Sequence, residues 1–477
     1  MCPIFGHAYE KLCADVLARW HRLLGDEVFF LTGTDEHGQK IMKAAKAAKK
    51  TPQEFVNEKA EKFKELCKAW NISNNRFIRT TEPEHMKVAQ NIFQKIFENG
   101  EIYLGKYSGY YCTDCETFYP EKDLIQGKCP VHLKECEVLS EESYFFQMGK
   151  YKQRLLEYIE ENPFCIWPKG KREEIKNRLS GELKDLSVSR SSFDWGVPVP
   201  INKKHVQYVW MDALINYISG IDYPNETFEK FWPADVHLIG KDILWHHTVI
   251  WWSILESAGI QLPKTVLVHG FINTEQGEKM SKSRGTVINP LELAKKFNID
   301  AVRYYLIREI PFGEDGFFSE AGLKKRNNDE LANELGNLVN RTLAMLEKYC
   351  EGKIPEGKTA IELKEKLDLN KIKSHMKAFE LHLALSETMG FVKACNVFLN
   401  EKEPWKKQGA ELNSILYSMA DSLRIIATLL WPFMPASSEK ILKQLGSQIK
   451  GIEECAFDLS IAGTQTSKQG ILFQKIE

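Results

Sequence analysis

Residues 2–38 read CPIFGHAYEKLCADVLARWHRLLGDEVFFLTGTDEHG, a helix-forming stretch followed by a strand and a polar loop. Pro3 and Gly6 supply turn chemistry. Leu12, Val16, Leu17, Trp20 and Leu23 then recur at three- and four-residue spacing, which predicts a helix over 8–24 with one buried face. Gly6 and His7 fall at its N-terminus, where unsatisfied N–H groups and the helix dipole favour phosphate. The apolar run at 28–31 predicts a strand, and the loop after it carries Asp35, Glu36 and His37. Helix, strand and loop in this order point to a doubly wound α/β sheet, whose ligands gather at the carboxyl ends of the strands. Two carboxylates and a histidine at a strand end make either a satisfied turn or a cradle for an ammonium group.

A second stretch supports a nucleotide site. The β-branched run at 265–272 reads as a buried strand, and GEKMSKSRG at 277–285 follows it. That loop holds Lys279, Lys282 and Arg284 among small hydroxyl residues and flanking glycines. It suits chemistry in which negative charge builds up and then departs.

The composition sets bounds on the rest. At 477 residues, two to four domains are expected, and the 43% hydrophobic and 27% charged fractions are those of a globular protein. The net charge of −1 gives no global field for nucleic acid, so any RNA contact must come from local patches such as Lys324–Lys325–Arg326 or Lys406–Lys407. No apolar run reaches spanning length, and no secretory leader is recognisable, which points to a cytoplasmic protein in a reducing compartment. Among eleven cysteines, Cys112-x-x-Cys115 and Cys129-x-x-His132 form two pairs separated by thirteen residues. This spacing fits one structural, tetrahedral Zn2+ held by three thiolates and an imidazole, with Cys136 a spare in place of His132.

Further along, Trp210, Ala213 and Tyr217 share one helical face, as do Ile243, His247 and Trp251 after Gly240–Lys241–Asp242. From residue 330 onward the pattern is helical, with Leu335, Leu338, Val339, Leu343 and Leu346 on one stripe and Leu423, Ile426 and Leu430 on another.

HAYEKLCADVLARWHRL with FFLTGTDEHGQKI, the string KMSKS, SYFFQM after the cysteine pairs, and the later GNLVNR and EPW together resemble the methionyl-tRNA synthetases, a family of class I aminoacyl-tRNA synthetases. The resemblance runs from about residue 6 to 477. It implies ATP-dependent activation of L-methionine and transfer to tRNA(Met), with Mg2+ accompanying ATP. By position, Gly6, His7, Gly240, Asp242, Lys279, Ser281 and Lys282 match the ATP contacts, and His7, Lys279 and Lys282 the catalytic ones. Asp35 matches the holder of the α-ammonium; Trp210, Ala213, Tyr217, Ile243, His247 and Trp251 match the methionine pocket. Asn337, Arg341 and Trp405 match the readers of the CAU anticodon.

The expected layout is a Rossmann-like catalytic domain in two parts, 1–99 and 200–309, split by a connective insertion with the zinc knuckle at 100–199. A stem-contact linker at 310–335 and an α-helical anticodon-binding domain at 336–477 complete it. No carboxyl-terminal dimerisation or tRNA-binding domain follows, which points to a monomer. Three departures stand out: Ile4 where the family has a histidine, Leu214 where some members have proline, and no strand ahead of the signature. The first and last lead to the expectation of a weak enzyme whose natural version is longer. The alternative is a non-catalytic tRNA-binding relative.

Overall fold

The computed structural model describes residues 3–112, 117–119, 121–130, 133–275, 277 and 288–477. The chain divides into two units, one of residues 31–64 and 74–269, the other of 3–30, 65–73 and 270–477.

The first unit contains parallel strands, as the α/β reading requires. Among the described residues of this unit they pair in two groups. Leu31–Thr34 runs beside Arg76–Arg79, and the second sheet has the order His237–Gly240, Val266–His269, Ile166–Trp167. The first strand begins three residues later than the apolar run at 28–31 suggests, because its neighbour offers ladder partners only from Arg76 to Arg79. Between the parallel strands in sequence lies a four-stranded antiparallel sheet, built on a long pairing of Ile102–Cys112 with Glu137–Phe146. Thr51–Pro52 separates helices Gln39–Ala47 and Pro52–Ala69. There the Glu54 N–H donates to Thr51 Oγ1 (3.2 Å) and the Thr51 N–H to Glu54 Oε2 (3.0 Å), a reciprocal cap.

The second unit starts with helix Phe5–Leu23, whose Leu12, Val16, Leu17, Trp20 and Leu23 are all buried as their spacing requires. The helix begins three residues earlier than the spacing indicates, since Ile4 takes the cap position. The run at 265–272 does not form one strand. It breaks at Gly270, where an added Cβ would meet the Glu314 carbonyl oxygen at 2.2 Å, and Ile272–Asn273 pairs with Gly316–Phe317.

Helices Asn337–Cys350 and Gly409–Leu430 carry the expected apolar stripes, with Leu338, Leu343, Leu423, Ile426 and Leu430 buried, and Leu381–Lys402 lies between them in sequence. The segment before them, Asn327–Gly336, is wound as a wider π-helix, which a 3.6-residue pattern cannot reveal. Arg303, wholly buried, donates to Asp15 Oδ2 (2.7 Å) and to the carbonyls of Trp70, Pro432 and Phe433 (2.9–3.0 Å). One guanidinium thereby fastens the first helix, the 65–73 segment and the turn after Leu430.

The basic patches are not open cations. Lys325 pairs with Asp329, Arg326 with Glu309 and Glu330, Lys324 with Glu320, Lys406 with Glu403 and Lys407 with Glu411. Each of these cations has a carboxylate partner nearby. Among the described residues, no helix is long and apolar enough to cross a membrane.

Candidate active site

In the first unit the strand-end loop separates its three polar residues. Glu36 is buried and takes both nitrogens of Arg79, Nε at 2.8 Å and Nη2 at 2.9 Å, together with the Thr34 and Thr81 hydroxyls. Its backbone is held as well, the N–H donating to Thr80 Oγ1 (3.0 Å) and the carbonyl accepting from Trp195 Nε1 (2.8 Å). His37 is buried against Asp212. Asp35 alone is exposed. Glu36 and His37 are turned inward and build the turn, while Asp35 stays at the surface.

The aromatic residues converge. The Tyr217 hydroxyl lies 2.7 Å from His247 Nε2, and His247 Nδ1 lies 2.9 Å from the Ile243 carbonyl. A carbonyl only accepts, so Nδ1 carries a proton; the neutral ring then accepts from Tyr217 at Nε2. Trp210 stacks on His246 at 3.9 Å between centroids and meets His247 edge-on at 6.2 Å. Tyr217 stacks on His237 at 4.1 Å and lies 6.2 Å from Trp251. Burial, with His247 close by, pushes His237 and His246 down to about 3. Both rings are neutral at physiological pH, so they add apolar surface without charge.

The sequence places Trp210, Ala213 and Tyr217 on one helix. The structure instead uses two short ones, Val209–Ala213 and Asn216–Ser219. Ile243 and His247 likewise do not lie on one continuous α-helix with Trp251. The chain passes from a tight turn at Lys241–Ile243 through a π-segment at His246–Ile250 into Trp251–Ser257. His247 and Thr248 each bond back to a carbonyl four residues earlier, Ile243 and Leu244, which helps hold that segment open. His237 and His246 were not recognised in the sequence, although the aromatic run LWHH was a signal for the second. At the strand end, Gly240 allows Asp242 to fold close: an added Cβ would meet Asp242 Oδ1 at 2.8 Å.

In the second unit, His7 sits in the first turn of its helix and its Nδ1 accepts from the Ile4 N–H at 3.2 Å. In the neutral ring the proton is then on Nε2, a defined donor at a helix N-terminus. Lys279, Ser281 and Lys282 lie outside the described residues, as do Cys115 and His132. Cys112 and Cys129 are buried, and Cys136 hydrogen-bonds to Cys112; burial and both neighbouring thiols push the Cys136 thiol up. Among the described residues no group of three or more His, Cys, Asp or Glu is arranged to hold a metal.

Farther along, Asn337 and Arg341 lie one turn apart on helix Asn337–Cys350. The Arg341 guanidinium is 5.8 Å from the centre of the Trp405 ring and donates to Asn400 Oδ1 at 2.9 Å. Trp405 is 46% exposed, so a face of a large indole remains available beside a cation.

The family described as tRNA synthetases class I (M) matches residues 3–138 and 132–343, and the anticodon-binding domain of tRNA ligases matches 366–463. The chain belongs to this methionine branch of the class I aminoacyl-tRNA synthetases.

It is 44% identical to the methionine–tRNA ligase of Caldanaerobacter subterraneus subsp. tengcongensis, over 99% of this chain and 76% of that protein. It is 45% identical to that of Thermotoga maritima, over 95% and 74% respectively. Mycobacterium tuberculosis methionyl-tRNA synthetase in complex with methionyl-adenylate is similar in structure, with a TM-score of 0.95 and 38% identity, covering 99% of this chain and 97% of that one.

Proposed function

We propose that this chain joins methionine to ATP, forming methionyl-adenylate and pyrophosphate, and then transfers the methionyl group to the terminal ribose of tRNA(Met). The observation that carries the reading is the cluster of rings around Tyr217 and His247, in a chain 43–45% identical to methionine–tRNA ligases over nearly its whole length. A thioether is soft and polarisable and favours such rings. The Tyr217 hydroxyl and His247 are hydrogen-bonded to each other, so that pair leaves its neighbouring surface largely apolar.

In this reading Asp35 takes the substrate's ammonium, leaving the carboxylate to attack the α-phosphate in line. Gly240 and Asp242 meet the ribose, and Gly6 and Ser281 complete the nucleotide contacts. The His7 Nε2–H, Lys279 and Lys282 hold the charge that gathers on the departing pyrophosphate. Mg2+ enters with ATP and neutralises the triphosphate.

Zinc belongs to the same reading. Cys112, Cys115, Cys129 and His132 make up the proposed set, with Cys136 a spare in place of His132; the hydrogen-bonded Cys112 and Cys136 thiols are the right donor chemistry. Such a zinc is structural and supplies no step. Elemental analysis finding no zinc would reject it.

Asn337, Arg341 and Trp405 read the anticodon, with the exposed indole as stacking platform. A non-catalytic relative is not favoured, given the ligases that match nearly the full chain. The test is charging of a tRNA bearing CAU with labelled methionine, with and without Trp405→Ala. The variant should lose charging efficiency by about 1–3 kcal/mol, the worth of one base stack, and keep adenylate formation. No charging by the unaltered chain contradicts the function; parallel loss of both steps in the variant contradicts the role of Trp405.

A further inference from the structure

Asp212 is 1% exposed, and both of its carboxylate oxygens are occupied. His37 Nδ1 lies 2.7 Å from Oδ2, and His85 Nε2 lies 2.7 Å from Oδ1. The chain of contacts continues from His85 Nδ1 to Ser219 Oγ at 2.8 Å. A carboxylate only accepts, so each histidine donates to it. Burial alone would push the Asp212 carboxyl up, but His37 and His85 hold it below the usual range. Burial likewise would lower His37, yet Asp212, aided by Glu36 and Asp35, raises it. The edge of the Trp195 ring packs on His37 at 5.4 Å.

None of these groups is placed to meet a ligand, since His37 is 6% exposed and His85 0%. Their value lies in what they fasten. His37 stands two residues after Asp35, and Asp212 stands two residues after Trp210. The His37–Asp212 bond therefore ties the loop that presents the ammonium holder to the helix that carries a wall of the side-chain pocket. His85 braces the junction from a third element, helix Pro83–Glu98, and through Ser219 reaches the short helix that contains Tyr217. A buried, charge-assisted network with every member satisfied is rigid, and a partly satisfied one is not.

We propose that His37, Asp212 and His85 form a positioning relay that fixes the distance between Asp35 and the Trp210–Tyr217 pocket, so that the ammonium and thioether ends of methionine are read together. The relay rests on the methionine reading above and adds three residues that act through others.

The test compares two ligands on the full chain by calorimetric titration: methionine, and 4-(methylthio)butanoate, which lacks the amine. Losing one buried bond to a charged group corresponds to about a ten- to hundredfold change. His37→Leu should weaken methionine by that factor and the desamino ligand by less than about threefold, because the latter makes no use of Asp35. In pyrophosphate exchange the KM for methionine should rise while the KM for ATP and kcat at saturating methionine stay nearly constant. His85→Gln, which keeps a donor near Asp212, should lie close to the unaltered chain, and His85→Leu should follow His37→Leu. Should His37→Leu not fold, the His85 pair carries the same comparison.

Equal loss for both ligands, a parallel fall in kcat and ATP affinity, or no change in any variant would overturn the relay. Failure of the unaltered chain to bind methionine would instead overturn the functional reading on which it rests.

Discussion

Arg303 and Asp212 are both buried charges at which several segments meet, one in each unit, and they are satisfied in different ways. Arg303 gives its protons to one carboxylate and three backbone carbonyls. Its charge is permanent, and three of its four acceptors cannot titrate. Asp212 takes its bonds from two histidines, and one of them, His37, is raised above its ordinary value by that contact. The first arrangement suits a joint that has only to hold. The second sits next to the proposed substrate site, where small adjustments in the loop and helix it joins change what is bound. A buried ionic network is thus not one kind of feature: its partners decide whether it reports on pH.

The largest effect separating the two should come from Arg303→Leu. Asp15 would keep Arg19 and Ser73 as partners, but three buried carbonyls would lose their donor. Breaking a buried pair of this kind costs about 3–5 kcal/mol, read from the urea midpoint, and methionine affinity measured below that midpoint should hardly move. A change of less than about 1 kcal/mol would show that the joint is surrounded by enough water or slack to be replaced.

A smaller effect distinguishes the two by pH. The Asp15 carboxyl would be pushed up by burial, yet Arg303 and Arg19 hold it below its usual 3.8. A lowered folded pKa gives stability that is present above the unfolded value and lost as pH falls through the folded one. His37 is raised above 6.5 by Asp212 against the effect of burial. Its contribution is therefore complete below 6.5 and lost as pH rises through the raised value. Asp212 is lowered by the same contact and adds to the acid side only. In urea midpoints followed across pH, His37→Leu should flatten the decline above neutrality and leave the Asp15 part of the acid decline in place. Superimposable alkaline slopes for the two proteins would contradict this assignment.

These hubs also mark what the sequence could and could not reveal. The buried stripe of the first helix and the helical second half are set by local spacing, and local spacing is legible. Asp212 sits in an apolar stretch, WMDALINY, and its partners lie 175 and 127 residues away; nothing local announces them. The π-segments at 246–250 and 327–336 were invisible because they depart from the 3.6-residue period on which the reading depends. The basic patches are a different case. Lys325 with Asp329 and Lys407 with Glu411 are four apart, so these exposed ion pairs follow from local spacing.

The grouping of the parallel strands is a matter of which backbone groups pair, and side-chain patterns carry little of that information. His37 falls between these extremes: its presence at the strand end was noticed, but its orientation, toward Asp212 and away from any ligand, is a tertiary fact.

The central claim is that the pocket of Trp210, Tyr217, His247 and Trp251 selects methionine for reaction with ATP. Amino-acid-dependent ATP–pyrophosphate exchange on this chain tests it most directly, with methionine, leucine and isoleucine compared at equal concentrations. The account predicts exchange with methionine and little with either branched side chain, whatever the absolute rate. Equal rates with leucine would contradict it.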